Sequence, residues 1–408
     1  MKYQDERLGR HKGGVPCARG DGGYQVLEED ACLPLAMIKL SALEQNLAWM
    51  QRFMASQGMA FAPHGKTTMS PDLFRRQLAA GAWGMTVATP QQAWVAREAG
   101  AERILMANQL VGKANMALVA ELLETGVDFY CCVDSAANAV RLSEFFAGRG
   151  QRLRVLVELG VPGGRCGCRS LDDAKALSER ILALPGLELA GVEFYEGVIG
   201  GEQAEPRILA LVAEAVGLLG YQAERSPRPL LITGAGSAWY DLVAKGLDAA
   251  KLPAGALPLL RPGCYLTHDL GIYAEAQQGV MARSPAACEL GGDLVSALEL
   301  AAYVQSLPEP GQAVLGFGKR DVAFDAGLPV PLAHYRDGRR LGEALAGWRV
   351  EKVMDQHAFM TLPADTEVQV GDVVLFGTSH PCLTFDKWRR LALVDDDYRI
   401  LESIETRF

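Results

Sequence analysis

One lysine lies in the middle of a stretch whose character changes on either side of it. In "FAPHGKTTMSP" (61–71), the residues before Lys66 form a short apolar run and those after it open a helical segment. His64 lies two positions upstream. A lysine held in a partly desolvated pocket has a depressed pKa and can form a Schiff base with an aldehyde. A solvated lysine in a surface loop is the alternative interpretation.

A glycine-rich turn, "TGAGSAW" (233–239), follows an apolar run and precedes a helical one. Its glycines permit close backbone approach, and its N–H groups with the hydroxyls of Thr233 and Ser237 suit a phosphate at a helix N-terminus. An ordinary tight turn between a strand and a helix would have a similar composition. A Schiff-base lysine that faces a phosphate site is the combination that pyridoxal phosphate requires.

A histidine and a cysteine two residues apart form a third candidate feature. In "SHPCLTFDKW" (379–388), Pro381 separates His380 from Cys382, so both side chains face the same way in an extended chain. Imidazole nitrogen and thiolate sulfur together favour Zn²⁺. Two protein ligands leave room for water or substrate, although such a pair also occurs by chance.

The segments that must position these residues alternate between apolar runs and helical stretches. The capping-box pattern of Ser41 and Glu44 predicts a first helix over 42–57. Apolar runs then occur at residues 59–64, 84–89, 103–108, 129–134, 153–159, 189–196, 229–236 and 256–263. This rhythm is typical of parallel strands with helical crossovers, and eight units favour a (β/α)₈ TIM-type barrel over residues 41–270. An open, doubly wound sheet is the alternative, but "TGAGSAW" lacks the full G-x-G-x-x-G fingerprint.

Chemistry in such a barrel takes place at the carboxyl ends of the strands. Lys66 follows the first strand, Gln109 ends the third, and Tyr195 ends the sixth. Gln109 and His357, in "DQHAFM", are tentative members of the substrate pocket, and a capped or surface histidine is the alternative for His357.

After about residue 275 the pattern changes to β-prone runs separated by Gly, Pro and Asp turns. We therefore predict a mainly antiparallel β domain formed by residues 271–408 and 1–40, which carries the His380–Cys382 pair.

Composition limits the kinds of partner. Hydrophobic residues make up 49% of the 408 residues, and the formal net charge is −9 without a basic cluster, which argues against nucleic acid. No apolar run approaches the length of a membrane span, and the N-terminus lacks the apolar core of a signal peptide. The nine cysteines are scattered and odd in number, which is typical of reduced thiols in the cytoplasm.

Five motifs in this order resemble the D-serine dehydratase and D-threonine aldolase family of alanine-racemase-like, fold-type III pyridoxal phosphate enzymes. They are "PHGKT" (63–67), "RCG" (165–167), "YEG" (195–197), "TGAGS" (233–237) and "HPC" (380–382). The resemblance covers nearly the whole chain. This sequence has Thr68 where many relatives have histidine, and its phosphate turn is poorer in glycine.

The resemblance implies that Lys66 carries pyridoxal phosphate, that Tyr195 lies near the cofactor ring, and that His380 and Cys382 hold Zn²⁺ or another divalent cation. It also implies a homodimer. The remaining cofactor-binding residues that it implies, or that lie in its motifs, are His64, Arg165, Thr233, Gly234, Gly236 and Ser237.

The expected activity is metal-assisted dehydration and deamination of a D-3-hydroxy amino acid similar to D-serine, giving a 2-oxo acid and ammonia. The nearest alternative is retro-aldol cleavage to glycine and an aldehyde. Cys382 favours the dehydratase, since the aldolases commonly have aspartate there, which suits Mn²⁺ or Mg²⁺ better. An amino acid racemase and a non-catalytic pyridoxal phosphate-binding protein are further alternatives, and neither has a use for the metal pair.

Overall fold

The computed structural model describes residues 11–14, 24–342 and 345–408. Residues 1–10 and 15–23, which belong to the predicted 1–40 segment, lie outside the described residues. The first elements are β1 (Tyr24–Gln25), β2 (Leu35–Lys39) and α1 (Leu40–Ser56). The predicted capping box is wrong, because α1 already begins at Leu40 and the hydroxyl of Ser41 donates to Asp396 at 2.6 Å.

Within the described residues, eight parallel strands form the first sheet, in the order β3-β10-β9-β8-β7-β6-β5-β4. They are β3 (Ala60–Phe61), β4 (Met85–Val87), β5 (Arg103–Gln109), β6 (Asp128–Val133), β7 (Leu153–Leu159), β8 (Leu187–Phe194), β9 (Leu231–Gly234) and β10 (Leu257–Leu260). A parallel bridge between His64 and Thr86 joins the two end strands, and the Thr86 N–H donates to the Pro63 carbonyl at 2.9 Å. The predicted (β/α)₈ barrel is confirmed.

Helices connect these strands on the outside of the barrel. They are α2 (Pro71–Ala79), α3 (Pro90–Glu98), α4 (Lys113–Glu124), α5 (Ala136–Ala147), α6 (Leu171–Leu182), α7 (Ala204–Ala223) and α8 (Tyr240–Asp248). Local sequence explains several helix starts: Thr89 precedes Pro90 and accepts a hydrogen bond from the Gln92 N–H at 3.3 Å. Small and aliphatic side chains, among them Ala62, Leu156 and Leu259, fill the barrel interior.

A second, mainly antiparallel sheet follows the barrel and confirms the predicted β domain. Its elements after the barrel are α9 (Ile272–Arg283), α10 (Pro285–Glu289), β11 (Leu298–Glu309), β12 (Gln312–Leu315), β13 (Val330–Arg336), β14 (Arg339–Gly342), β15 (Arg349–Val353), β16 (Ala358–Thr361), β17 (Val373–Gly377), α11 (Cys382–Phe385), β18 (Arg390–Val394) and β19 (Arg399–Glu405). Strand β2 pairs antiparallel with β11 and parallel with β18. The domain boundaries at residues 41 and 270 stay predictions. No helix in the described ranges is both long and apolar enough to cross a membrane.

Candidate active site

A cavity of about 230 Å³ opens at the carboxyl ends of the barrel strands. Its walls come from β3, β5, β7, β8, β9, β10 and the loops that follow them. The lining residues include His64, Lys66, Asn108, Gln109, Glu158, Arg165, Cys166, Tyr195, Gly236 and Arg261. The barrel geometry thus brings together residues that are far apart in the sequence.

Lys66 lies in a 3₁₀ turn, Gly65–Thr67, which follows β3 after three intervening residues. The turn is held close to α2, since a Cβ on Gly65 would lie 2.6 Å from the ring of Phe74. Lys66 is exposed and lines the cavity. Desolvation, with a contribution from the charge of Arg165, lowers the pKa of Lys66, while the Cys382 thiolate opposes the shift. The lowered pKa increases the fraction of Lys66 in the neutral amine form, which is the form that can attack an aldehyde.

The ring of His64 is held in its neutral form. Burial, followed by the positive charges of Lys66 and Arg261, lowers the pKa of His64 well below its usual value. Its Nδ1 is buried without a hydrogen-bond partner among the described residues. Such an unpaired polar atom in a cavity indicates that a ligand completes the site.

Arg165 and Tyr195 form one side of the cavity. The Arg165 guanidinium lies over the Tyr195 ring, 4.0 Å from the ring centroid. Burial and the neighbouring Glu196 carboxylate raise the pKa of Tyr195. The phenol therefore keeps its proton and can donate a hydrogen bond.

The backbone N–H groups of the predicted phosphate turn, "TGAGS", make hydrogen bonds that differ from those expected. The N–H groups of Ala235 and Gly236 donate to the Glu196 carboxylate at 3.0 and 2.7 Å, so they are engaged within the protein. A Cβ on Gly234 would lie 2.4 Å from the ring of Phe194, so that glycine serves strand packing. Thr233 is buried and its hydroxyl has no partner among the described residues.

Ser237 connects this turn to the loop after β10. Its hydroxyl accepts hydrogen bonds from the N–H groups of Gly263 and Cys264, each at 3.1 Å. These two N–H groups are therefore engaged within the protein, as are those of Ala235 and Gly236. The Ser237 hydroxyl keeps its own proton, which it can donate to a phosphate, and its role stays a prediction.

Polar and ionisable side chains line the cavity at the carboxyl ends of the strands. Arg261, which the sequence reasoning missed, is buried, pairs with Glu193 and donates to the Phe194 carbonyl at 2.9 Å. Gln109 donates to the carboxyl of Glu158. Desolvation and the nearby Glu193 raise the pKa of Glu158 to about 8.

Glu158, Glu193 and Cys132 form one group of possible metal ligands, with all ligand atoms within 4.8 Å of one another. Burial raises the pKa values of Glu158 and Cys132, which keeps their protons on at neutral pH. Because Gln109 donates to Glu158 and Arg261 pairs with Glu193, two of the three groups are already engaged within the protein, and the group forms a network of buried acids.

The structure places His380 and Cys382 beside the loop of Lys66. His380 Nδ1 lies 2.8 Å from Asp325 Oδ2, which leaves Nε2 available to a metal ion. Hydrogen bonds from Cys264 and His380 lower the pKa of Cys382 to about 4. The hydrogen bond with Cys382 in turn raises the pKa of His380 to about 9. Cys382 is therefore a thiolate, the form that binds metals.

Cys264 and Thr67 complete this cluster and were both missed in the sequence. The sulfurs of Cys264 and Cys382 lie 3.6 Å apart. Thr67 Oγ1 lies 3.5 Å from the Cys382 sulfur and 3.8 Å from that of Cys264. Only the position of "RPGCYLTHD" after the eighth strand hinted at Cys264.

His357 does not join the site in this chain. It is exposed in the turn between β15 and β16 and is not among the residues that line the cavity. Met354 donates its N–H to the His357 carbonyl at 2.7 Å. The predicted place of His357 in the pocket is therefore corrected to a surface turn, where β-strand connections commonly expose polar residues.

The residues present suit both implied groups. The unpaired His64 Nδ1, the amine of Lys66 and the hydroxyl of Ser237 suit an aldehyde-bearing phosphate ester. The imidazole of His380 and the thiolate of Cys382 suit a divalent ion with a preference for nitrogen and sulfur.

Comparison with known proteins agrees with this architecture. The family described as "Alanine racemase, N-terminal domain" matches residues 38–267, and a serine dehydratase domain family matches residues 297–394. The chain is 27% identical to a D-threonine aldolase of Arthrobacter sp. over 371 residues, 89% of each protein. It is 31% identical to a D-threo-3-hydroxyaspartate dehydratase of Delftia sp. (strain HT23) over 242 residues, 58% of this chain and 61% of that protein.

A solved structure of D-threonine aldolase from Filomicrobium marinum superposes with a TM-score of 0.79 at 25% identity, covering 95% of this chain and 98% of that chain. The chain belongs to the alanine-racemase-like, fold-type III family of pyridoxal phosphate enzymes, in its D-serine dehydratase and D-threonine aldolase group.

Proposed function

We propose that the protein is a pyridoxal phosphate-dependent lyase that dehydrates and deaminates a D-3-hydroxy amino acid similar to D-serine. The products are a 2-oxo acid and ammonia. The observation that carries this proposal is the thiolate of Cys382 beside His380, 3.5 Å from Thr67 in the lysine loop. Such a donor pair selects Zn²⁺, a Lewis acid that helps hydroxide to leave.

Bound pyridoxal phosphate would supply an electron sink at the carbon that carries the amino group. Lys66 would hold the cofactor, and its amine, with a lowered pKa, removes the α-proton as general base. His380 and Cys382 would hold a metal ion, which would supply a Lewis acid for the β-hydroxyl. The proton that Lys66 takes from the α-carbon balances the hydroxide that leaves, so one water is lost overall, and addition of one water then gives the 2-oxo acid and ammonia. Arg165, above Tyr195, offers a positive charge to the substrate carboxylate.

Retro-aldol cleavage is a second candidate with comparable support. The D-threonine aldolase relative matches 89% of the chain, and the solved aldolase has a TM-score of 0.79. In that reaction a base takes the proton of the β-hydroxyl and the Cα–Cβ bond breaks. Glycine and an aldehyde then appear without ammonia.

One assay separates the two reactions. Purified protein loaded with pyridoxal phosphate and Zn²⁺ is incubated with D-serine, D-threonine or D-3-hydroxyaspartate, with and without chelator, and 2-oxo acid, ammonia, glycine and aldehyde are measured. We expect equal amounts of 2-oxo acid and ammonia, both lost in chelator. Glycine and aldehyde without ammonia would refute the dehydratase, and full activity in chelator would refute the metal role of His380 and Cys382.

A further inference from the structure

The loop after β10 brings a second sulfur to the proposed metal pair. The sulfurs of Cys264 and Cys382 are 3.6 Å apart although the residues are separated by 118 positions. Both are free cysteines, and their separation is far beyond the roughly 2.05 Å of a disulfide bond. In a tetrahedral zinc site with Zn–S bonds of about 2.3 Å, two sulfurs lie roughly 3.8 Å apart. The sulfur pair thus already has a separation that one zinc ion requires.

We propose that Cys264 is the third protein ligand of the metal ion held by His380 and Cys382. The inference rests on the metal site of the proposed function, but not on which substrate bond breaks. It gives this chain a donor set of one nitrogen and two sulfurs, which is known from catalytic zinc sites that keep a fourth position open.

The backbone holds Cys264 rigidly in place. Its side chain is buried, and its N–H donates to the Ser237 hydroxyl at 3.1 Å. A Cβ on the preceding Gly263 would lie 2.6 Å from the His64 carbonyl oxygen, so the loop lies directly against the lysine loop. A preorganised ligand binds a metal with less loss of conformational freedom.

His380 is oriented for the same ion but must move inward to complete the site. Asp325 fixes the ring through Nδ1 at 2.8 Å, as carboxylates do for metal-bound histidines. The ligand atoms of His380, Cys382 and Cys264 do not all lie within 4.8 Å of one another among the described residues. Since Cys382 already contacts both His380 and Cys264, the distance between His380 and Cys264 is the one that metal binding would have to shorten.

The position of the cluster and the charge balance suit a zinc ion at this place. The cluster is largely buried, and zinc binding would release the protons of Cys264 and His380. Two thiolates with a neutral imidazole would then cancel the charge of Zn²⁺, which lowers the cost of burying the ion. The hydroxyl of Thr67 lies against both sulfurs and next to Lys66 in the chain. The cluster therefore lies against the lysine loop, close to where the β-hydroxyl of a substrate would have to lie.

The donor set also predicts the metal preference. Thiolates favour Zn²⁺, whereas Mg²⁺ and Mn²⁺ favour oxygen ligands. We expect a large excess of Mg²⁺ to leave bound zinc in place in the unmodified protein.

X-ray absorption at the zinc edge of the holoenzyme counts the sulfur ligands directly. We expect two sulfur neighbours at about 2.3 Å in the unmodified protein, one in Cys264→Ser, and two in the control Cys288→Ser, whose exposed thiol lies outside the cavity. Competition with a chromophoric chelator measures the zinc dissociation constant, which should rise about a hundredfold or more in Cys264→Ser. Loss of a residue that only hydrogen-bonds to a metal ligand already weakens metal binding by up to about a hundredfold, so loss of a ligand itself should cost at least as much.

A single sulfur in the unmodified protein, or an unchanged zinc affinity in Cys264→Ser, would overturn the proposal. The first measurement needs no variant, so misfolding of Cys264→Ser cannot obscure the answer. Both are made without substrate, and the cofactor absorbance of the same samples shows separately whether Lys66 carries pyridoxal phosphate. Failure of the ligand assignment is thereby distinguished from failure of the proposed reaction.

Discussion

Lys66 is the residue on which the cofactor assignment depends most directly. Desolvation and Arg165 lower its pKa, and the Cys382 thiolate partly compensates. We expect Lys66→Ala to lose the cofactor absorbance of a Schiff base and to reduce turnover by about 10²–10⁴-fold or more, the range for loss of a general base. Absorbance spectra after addition of pyridoxal phosphate check the first effect and product assays the second.

Lys251→Ala, which changes an exposed lysine far from the cavity, is the matched control. It should keep both the spectrum and the turnover. A Schiff-base spectrum that survives in Lys66→Ala would show that another amine carries the cofactor.

Glu158 gives the protein a pH-dependent stability. Burial and Glu193 raise its pKa from the usual 4.5 to about 8, so the folded state holds a proton that the unfolded state releases. The stabilisation is fully present below about pH 4.5 and is lost as the pH rises through about 8. Glu158→Gln mimics the protonated form, so its unfolding midpoint should fall less between pH 6 and pH 9 than that of the unmodified protein.

Thermal unfolding of both proteins at several pH values measures this difference. Glu98→Gln, at an exposed carboxylate on α3, is expected to follow the unmodified protein. Parallel curves for Glu158→Gln and the unmodified protein would show that Glu158 is ionised in the folded state.

Residues within local motifs were the ones that the sequence could predict. Lys66, Gln109, Arg165, Tyr195 and Gly236 line one cavity, as their positions after strands required. Cys264 and Arg261 were missed because their meaning comes from partners 118 and 68 positions away. His357 was misplaced because the local sequence around a histidine does not distinguish an exposed turn between two strands from the wall of a pocket.

At the level of elements, the loop between β3 and α2 must remain compact to hold Lys66. Because a Cβ on Gly65 would lie 2.6 Å from the Phe74 ring, Gly65→Ala forces the loop or the ring to shift. We expect a loss of roughly 1–3 kcal/mol in the free energy of unfolding, as for overpacked cores. Denaturant unfolding measures it, and weaker binding of pyridoxal phosphate should accompany it.

Gly217→Ala provides the opposite case for comparison. Gly217 lies within α7 with no atom within 4 Å of an added Cβ. Alanine there should stabilise the helix by up to about 1 kcal/mol. Equal effects of the two substitutions would show that the contact with Phe74 is not what constrains the lysine loop.

Elements within the barrel were predictable because each one has a local period. The strand predicted at 153–159 is β7 to the residue, and the others differ by a few residues at their ends. The start of α1 was not predictable, since Ser41 bonds to Asp396 near the other end of the chain instead of to its own helix. Whether Ser41 caps its own helix depends on whether a residue distant in the sequence competes for its hydroxyl group.

In the whole molecule, the chain enters the antiparallel sheet before it builds the barrel. Strand β2 lies between β11 and β18, and α1 follows it directly into the barrel. The residue pattern of β2 does not indicate that β11 and β18 are its partners. A short apolar strand can pair with any strand whose apolar side chains face the same side of the sheet. The homodimer also stays a prediction.

Asn46 on α1 connects the two parts of the molecule. Its buried amide donates to the carbonyls of Leu266 and Val295 at 3.1 and 2.7 Å and accepts the N–H of Val295 at 2.8 Å. Asn46→Ala leaves these backbone groups without a partner at the junction of the barrel end and the segment that leads into β11. We expect the free energy of unfolding to fall by roughly 2–4 kcal/mol, measured from denaturant midpoints.

Gln45→Ala tests whether this effect is specific to the buried junction. Gln45 is the preceding residue on α1 and makes an exposed hydrogen bond to the Asp293 carbonyl at 2.8 Å. Its removal should change the free energy of unfolding by less than about 0.5 kcal/mol, because water replaces an exposed partner. If Asn46→Ala were equally mild, other contacts between the barrel and the β domain, such as that of Thr67 with Cys382, would hold the junction without its amide. A large loss confined to Asn46 would instead show that its amide is a polar link between the barrel end and the segment that leads into β11.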